Sequence, residues 1–117
     1  MKNILKISIL VLLLTFVGKN KLSAQQAIDT MSIQTSAQCG ECKERIEKNI
    51  SVMKGVKSAV LDLNSKQLMV VFVEGKTTPA KIRTAISDLG YDADDVKANP
   101  KAQKNLPKCC QPPASAQ

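Results

Sequence analysis

Apolar and polar positions alternate with two different periods along this chain, and the switches between periods mark its elements. Met31, Ile33, Thr35 and Ala37 alternate with Ser32, Gln34, Ser36 and Gln38, the pattern of a half-buried strand. From Gly40 to Met53 the spacing turns helical: Ile46, Ile50 and Met53 share one stripe, and Lys43, Glu44, Glu47 and Lys48 face water. Gly55 is placed to stop that helix by taking a positive φ. Val56–Leu63 reads as a strand with Ala59, Leu61 and Leu63 on one face. Asn64-Ser65-Lys66 is a polar turn, and Gln67–Val73 completes a hairpin. Thr78 and Pro79 are a cap and a first helical residue. Ile82, Ala85, Ile86 and Leu89 stripe the second helix, which Gly90 ends. Tyr91–Lys97 is a short acidic fourth strand.

The order βαββαβ over residues 30–97 predicts an α+β, ferredoxin-like sandwich. Two helices cover one face of a four-stranded antiparallel sheet. Val60, Met69, Val71 and Val73 fall on the sheet's other face and predict an apolar outer patch. Residues 98–117 change character. Pro100, Pro107, Pro112 and Pro113 sit among Lys, Gln, Asn and Ala, which predicts a flexible tail.

The amino terminus follows neither period. Lys2 and Lys6 precede an apolar run, Ile7–Val17, too short for a membrane span, which needs about 20 residues. Ser23-Ala24 offers small residues for cleavage. Residues 1–24 therefore read as a secretory signal, which predicts a periplasmic or secreted protein with no stable membrane insertion after cleavage.

Composition narrows the chemistry. The 117 residues carry 17 Lys and Arg against 10 Asp and Glu, a formal +7. Four of the lysines lie in residues 1–24, so the remainder is close to neutral. With aromatics at 3% and no Trp, nothing suggests a nucleic-acid partner. There is no His, which removes His-based catalysis and His-containing zinc sites.

Four cysteines remain. Cys39-Gly40-Glu41-Cys42 spans the junction of the first strand and helix. There, the unpaired N–H groups and the positive end of the helix dipole stabilise thiolates. Gly40 lets the backbone turn without steric cost, and Glu41 is exposed. Two sulfurs without a third obvious ligand suit Cu(I) first, then Hg(II), Ag(I) or Zn(II). The same spacing serves a thiol–disulfide oxidoreductase or an inert disulfide in an interaction module, and both readings stand beside the metal reading. Cys109 and Cys110 are candidate further ligands. Twelve extended residues, Lys97–Lys108, reach at most ~40 Å, enough to double back to Cys39 and Cys42.

Residues 31–97 resemble the heavy-metal-associated domain of copper chaperones, metal-pumping ATPases and periplasmic mercury-binding proteins. The resemblance rests on Cys39-x-x-Cys42, Gly55-Val56, Leu61/Leu63 and Gly90-Tyr91. It implies that Cys39 and Cys42 bind the metal and that Tyr91 packs beside the metal loop. It further implies a non-enzymatic role in which a metal-transporting ATPase, or another carrier with a matching Cys site, exchanges the ion. One position departs: Ala37 stands where the family commonly has a buried Met, which predicts looser support of the loop.

Overall fold

Strand formation follows the period-two pattern closely in the middle of the sheet. The computed structural model describes residues 26–113, so the signal read over residues 1–24 lies outside the described residues. Strand β1 is Ile28–Gln34, β2 is Val56–Asp62 and β3 is Gln67–Val73. They form a three-stranded antiparallel sheet in the order β1-β3-β2. Central β3 directs Leu68, Val70 and Phe72 into the core, where Ile33 from β1 and Ala59 and Leu61 from β2 meet them. Leu63 lies beyond the end of β2 and is exposed, not on the core face.

Helix α1 is Gly40–Ser51 and α2 is Pro79–Leu89. Cys42, Ile46 and Ile50 fall one turn apart and bury the inner face of α1. On its flank Glu47, expected in water, is half-buried. Its carboxylate accepts the Leu61 amide at 2.7 Å and the Lys43 ammonium, tying α1 to β2. Ser51 ends α1, and Gly55 follows at φ +90°, turning the chain into β2. The Thr78 hydroxyl caps α2 by accepting from the Lys81 amide, with Pro79 at the first helical position. Ile82 and Ile86 are buried, and Ala85 and Leu89 pack against the same core.

On the outer face of the sheet, Val60 and Met69 pair across β2 and β3 and are 59% and 47% exposed. Val71 is half-buried beside them. Val73, expected in that patch, is buried. Its amide donates to the Gly55 carbonyl and its own carbonyl accepts from Lys76 and Thr77, so a turn closes over the end of β3.

The fourth strand expected over Tyr91–Lys97 does not form a ladder. Ala93 makes one bridge to Thr35 at the free edge of β1. Ala93 and Val96 then spend their N–H and C=O groups on each other, closing a tight turn in which Asp94 takes φ +52°. Asp94 fixes this turn in place. Its side chain accepts from the Gln34 amide at 2.8 Å and pairs with Arg83 at 2.8 Å.

The segment expected to be a flexible tail is folded through Cys110. Helix α3, Pro100–Lys104, is followed by a 3-10 turn at Lys108–Cys110. Asn99 caps α3 through its side-chain oxygen, accepting from the Lys101 and Ala102 amides, and Pro100 opens the helix. Leu106 and Cys110 are buried in the main core cluster. Composition averaged over the segment hides these two anchors. The Asn99 amide donates to the Ser87 carbonyl at 2.9 Å, and the Ser87 hydroxyl donates to the Lys97 carbonyl at 2.6 Å, pinning the entry to α2. Residues 114–117 lie outside the described residues. No helix among the described residues is long and apolar enough to cross a membrane.

Candidate metal centre

The site begins where β1 hands over to α1. Thr35 is buried, and its hydroxyl donates to the Lys66 carbonyl at 2.8 Å while accepting from the Ala37 amide at 3.3 Å. The loop is thereby fixed two residues before the first cysteine. Ala37 is fully buried, so the small side chain there sits inside the core rather than in a gap open to solvent. Cys39 then takes an extended conformation as the N-cap of α1, and its carbonyl accepts the first helical hydrogen bond, from Lys43. Cys39 is half-buried. Cys42, one turn along and on the inner face, is fully buried.

The sulfurs of Cys39 and Cys42 are 3.2 Å apart. The 3-10 turn brings the second pair to them: Cys109 Sγ lies 3.0 Å and Cys110 Sγ 3.4 Å from Cys39 Sγ. Cys39, Cys42 and Cys110 form a trio whose sulfurs all lie within 4.8 Å of one another. Cys110 is buried beneath the loop. Cys109 is exposed, with its thiol also 3.3 Å from a Glu41 carboxylate oxygen. All four cysteines therefore meet at one end of α1, although 70 residues separate Cys39 from Cys109 in the chain. Gly40 is exposed at the helix start and lines no contact.

The electrostatics are uneven across the cluster. The hydrogen bond between the Cys39 and Cys109 sulfurs favours the Cys39 thiolate and outweighs the cost of burial, and the Cys42 amide adds to the effect; Cys39 is held down to about 7. Cys109 is correspondingly pushed up to about 11, first by the hydrogen bond it shares with Cys39 and then by the Glu41 carboxylate to which its thiol donates. Cys110 is pushed up further, chiefly by burial.

Tyr91 sits beneath this cluster. It is fully buried, and its hydroxyl finds no hydrogen-bond partner among the nitrogen and oxygen atoms of the described residues. Burial raises its pKa, with the neighbouring Cys110 and Cys42 sulfurs adding to the effect. A buried hydroxyl without a partner is costly. One lying beside two sulfurs is a donor in reserve for thiolates. The donor set fits a soft cation: sulfur ligands, no imidazole, and a hydroxyl to offset thiolate charge.

Comparison with known proteins bears on what this constellation is. The sequence model of the heavy-metal-associated domain matches residues 36–92. A solved structure titled "Crosstalk between Cu(I) and Zn(II) homeostasis" is 30% identical, and the chain covers 94% of it with a TM-score of 0.50. The chain belongs to the heavy-metal-associated domain family. Among curated proteins, a Staphylococcus aureus copper-exporting P-type ATPase is 37% identical over 78 residues, 66% of this chain and 10% of that one. The chain thus spans about a tenth of the length of the curated relatives it matches. Among solved structures, the CopZ metallochaperone is 29% identical with a TM-score of 0.54, covering 56% of this chain and 98% of that one. Oxidized MerP from Ralstonia metallidurans CH34 is 28% identical with a TM-score of 0.56, covering 58% and 96%.

The family match ends at residue 92, before the second cysteine pair. Sequence reasoning placed Cys39, Cys42 and Tyr91 at one site and named Cys109 and Cys110 as candidates. It missed that Glu41 would meet Cys109 and that Leu106 would anchor the returning segment. The apolar residue three positions before Cys109 was the available signal for that anchor.

Proposed function

We propose that this protein binds one soft heavy-metal ion, Cu(I) first, on Cys39 and Cys42, and sequesters or shuttles it by thiolate exchange. The observation that carries the reading is the convergence of cysteine sulfurs at the start of α1, one half-buried and one fully buried, over a buried Tyr hydroxyl. Family membership supports it, and so do the copper-exporting ATPase and metallochaperone relatives. In this reading each sulfur that takes the ion releases its proton to solvent, and Cys39 does so most readily near neutral pH. A half-exposed Cys39 leaves the ion open to attack by an incoming thiolate. The ion then passes through an intermediate of higher coordination without being free in water. No bond is made or broken in a substrate. Hg(II), Ag(I) and Zn(II) are weaker candidates in the order of softness.

The lysines and apolar run of residues 1–24 support export to the periplasm or the medium, with a metal-transporting ATPase or another Cys-bearing carrier as exchange partner. The runner-up is thiol–disulfide exchange, which the same short sulfur contacts favour. Titration of the reduced protein with Cu(I) against a competing chelator, beside an insulin-reduction assay, separates them. The metal reading expects one Cu(I) per chain, lost in Cys39→Ser, and no reductase activity. Reductase activity without Cu(I) uptake would overturn it.

A further inference from the structure

The folded C-terminal segment reaches past the family's own domain to place two more thiols at the site. Its path is built rather than incidental. Gly90 ends α2 at φ +104°, and a Cβ there would stand 2.8 Å from the Gln103 amide nitrogen. Only glycine lets α3 approach so closely. Leu106 then buries into the core, and the Gln111 side chain donates to the Lys104 and Leu106 carbonyls, closing the segment around the 3-10 turn. Cys110 is delivered 2% exposed, within the trio that also holds Cys39 and Cys42. Cys109 is not in that trio and groups instead with Cys110 and Glu41 at the rim.

We infer that Cys110 is a resident third ligand, so that the ion is held by a three-sulfur Cys39–Cys42–Cys110 site with Cys109 outside the ligand set. The inference rests on the soft-metal reading above. Metal–sulfur bonds of roughly 2.3 Å put the sulfurs of a linear pair about 4.6 Å apart and those of a trigonal site about 4.0 Å apart. Cys39 and Cys42 stand at 3.2 Å, and Cys39 and Cys110 at 3.4 Å. Trigonal binding therefore asks for less than about 1 Å of opening in each of these two pairs, and linear binding asks more of the loop. Cys109 is as near by distance, 3.0 Å from Cys39 and 3.8 Å from Cys110, and what sets it apart is its exposure and its hydrogen bond to Glu41; a four-sulfur site would need it drawn inward towards Cys42, with which it shares no ligand group. The Tyr91 hydroxyl, without a partner and fully buried beside Cys42 and Cys110, is a second observation pointing to charged sulfurs at those two positions. On binding, each of the three sulfurs that is still protonated gives its proton to solvent, and the ion keeps its oxidation state. The consequence is retention: a carrier must displace a ligand already tethered to the chain, at high effective concentration.

The test uses the full chain without its leader, reduced and anaerobic, with Cu(I) supplied against a chromogenic chelator and its coordination read by copper K-edge X-ray absorption. The expected result is three sulfurs per copper in the parent protein. Cys110→Ser should fall to two, with affinity on the order of 100-fold weaker. Cys109→Ser should keep three sulfurs per copper, with a smaller loss of affinity than Cys110→Ser. Two sulfurs in the parent, unchanged affinity in Cys110→Ser, or a loss in Cys109→Ser equal to that in Cys110→Ser would each overturn the inference. The parent's coordination number needs no variant, so it decides even if Cys110→Ser loosens the segment. A parent that takes up no Cu(I) would instead sink the soft-metal reading itself.

Discussion

Cys39 and Cys109 are close enough for one proton to lie between two sulfurs, and that proton makes reactivity run against exposure. Cys39 is held near 7 while the more exposed Cys109 is held near 11. Between those values Cys39 is a thiolate and Cys109 a thiol. In reduced, metal-free protein, iodoacetamide labelling followed by peptide mapping should therefore modify Cys39 with a midpoint near pH 7, ahead of Cys109. A common midpoint near 9 would contradict the shared proton. The sign for stability follows. Cys39, lowered from 9.0, contributes stability that is present above 9 and lost as pH falls through about 7. Cys109, raised from 9.0, contributes stability that is present below 9 and lost as pH rises through about 11. Tyr91 gives a second residue-level prediction. Tyr91→Phe removes a buried hydroxyl without a partner, so the metal-free protein should be as stable or more stable by about 1 kcal/mol in urea denaturation. Cu(I) affinity should fall about tenfold, because the loaded thiolates lose a donor. A destabilised metal-free protein with unchanged affinity would show that the hydroxyl serves packing alone.

At the scale of elements, the C-terminal segment turns the loop into an enclosed site, and its grip on the domain is specific. Leu106→Ala removes a buried side chain and should cost about 2–3 kcal/mol in urea denaturation. The same variant should speed alkylation of Cys110 well before global unfolding. A loss within about 0.5 kcal/mol would mean the segment is not anchored there. The central elements were legible in the sequence because their periods are clean. β3 alternates Leu68, Val70 and Phe72 inward, and α1 repeats Cys42, Ile46 and Ile50. The edges were not. Tyr91–Lys97 carries three aspartates, and Asp94 satisfies its surroundings through side-chain contacts with Gln34 and Arg83 in place of a ladder. Pro100–Cys110 looked unable to order itself because its apolar content is low. Two anchors, one cap and the cleared space at Gly90 are enough when a finished core is already there to receive them.

For the whole molecule, the topology that carries β1 into α1 puts one cysteine pair at the sheet end, and residues 98–110 return to the same end. The site thus joins thiols from both ends of the described chain, and ion binding should brace the fold. Saturation with Cu(I) should raise the melting temperature, since an ion bound only by the folded chain stabilises it by mass action. Replacing Cys39 and Cys42 together by Ser should abolish the rise. That Cys39 and Cys42 meet at the helix start was readable from their spacing and their place between strand and helix, while the spacing left metal, redox and disulfide readings open. The convergence of Cys109 and Cys110 upon them was readable only as reach, because chain length says where a segment can go and not which core positions await it. The most direct measurement is elemental analysis of the reduced protein isolated anaerobically from its own compartment. The account predicts close to one equivalent of copper, lost when Cys39 and Cys42 are both replaced by Ser. A protein free of soft metal, with its cysteines paired as disulfides, would contradict it.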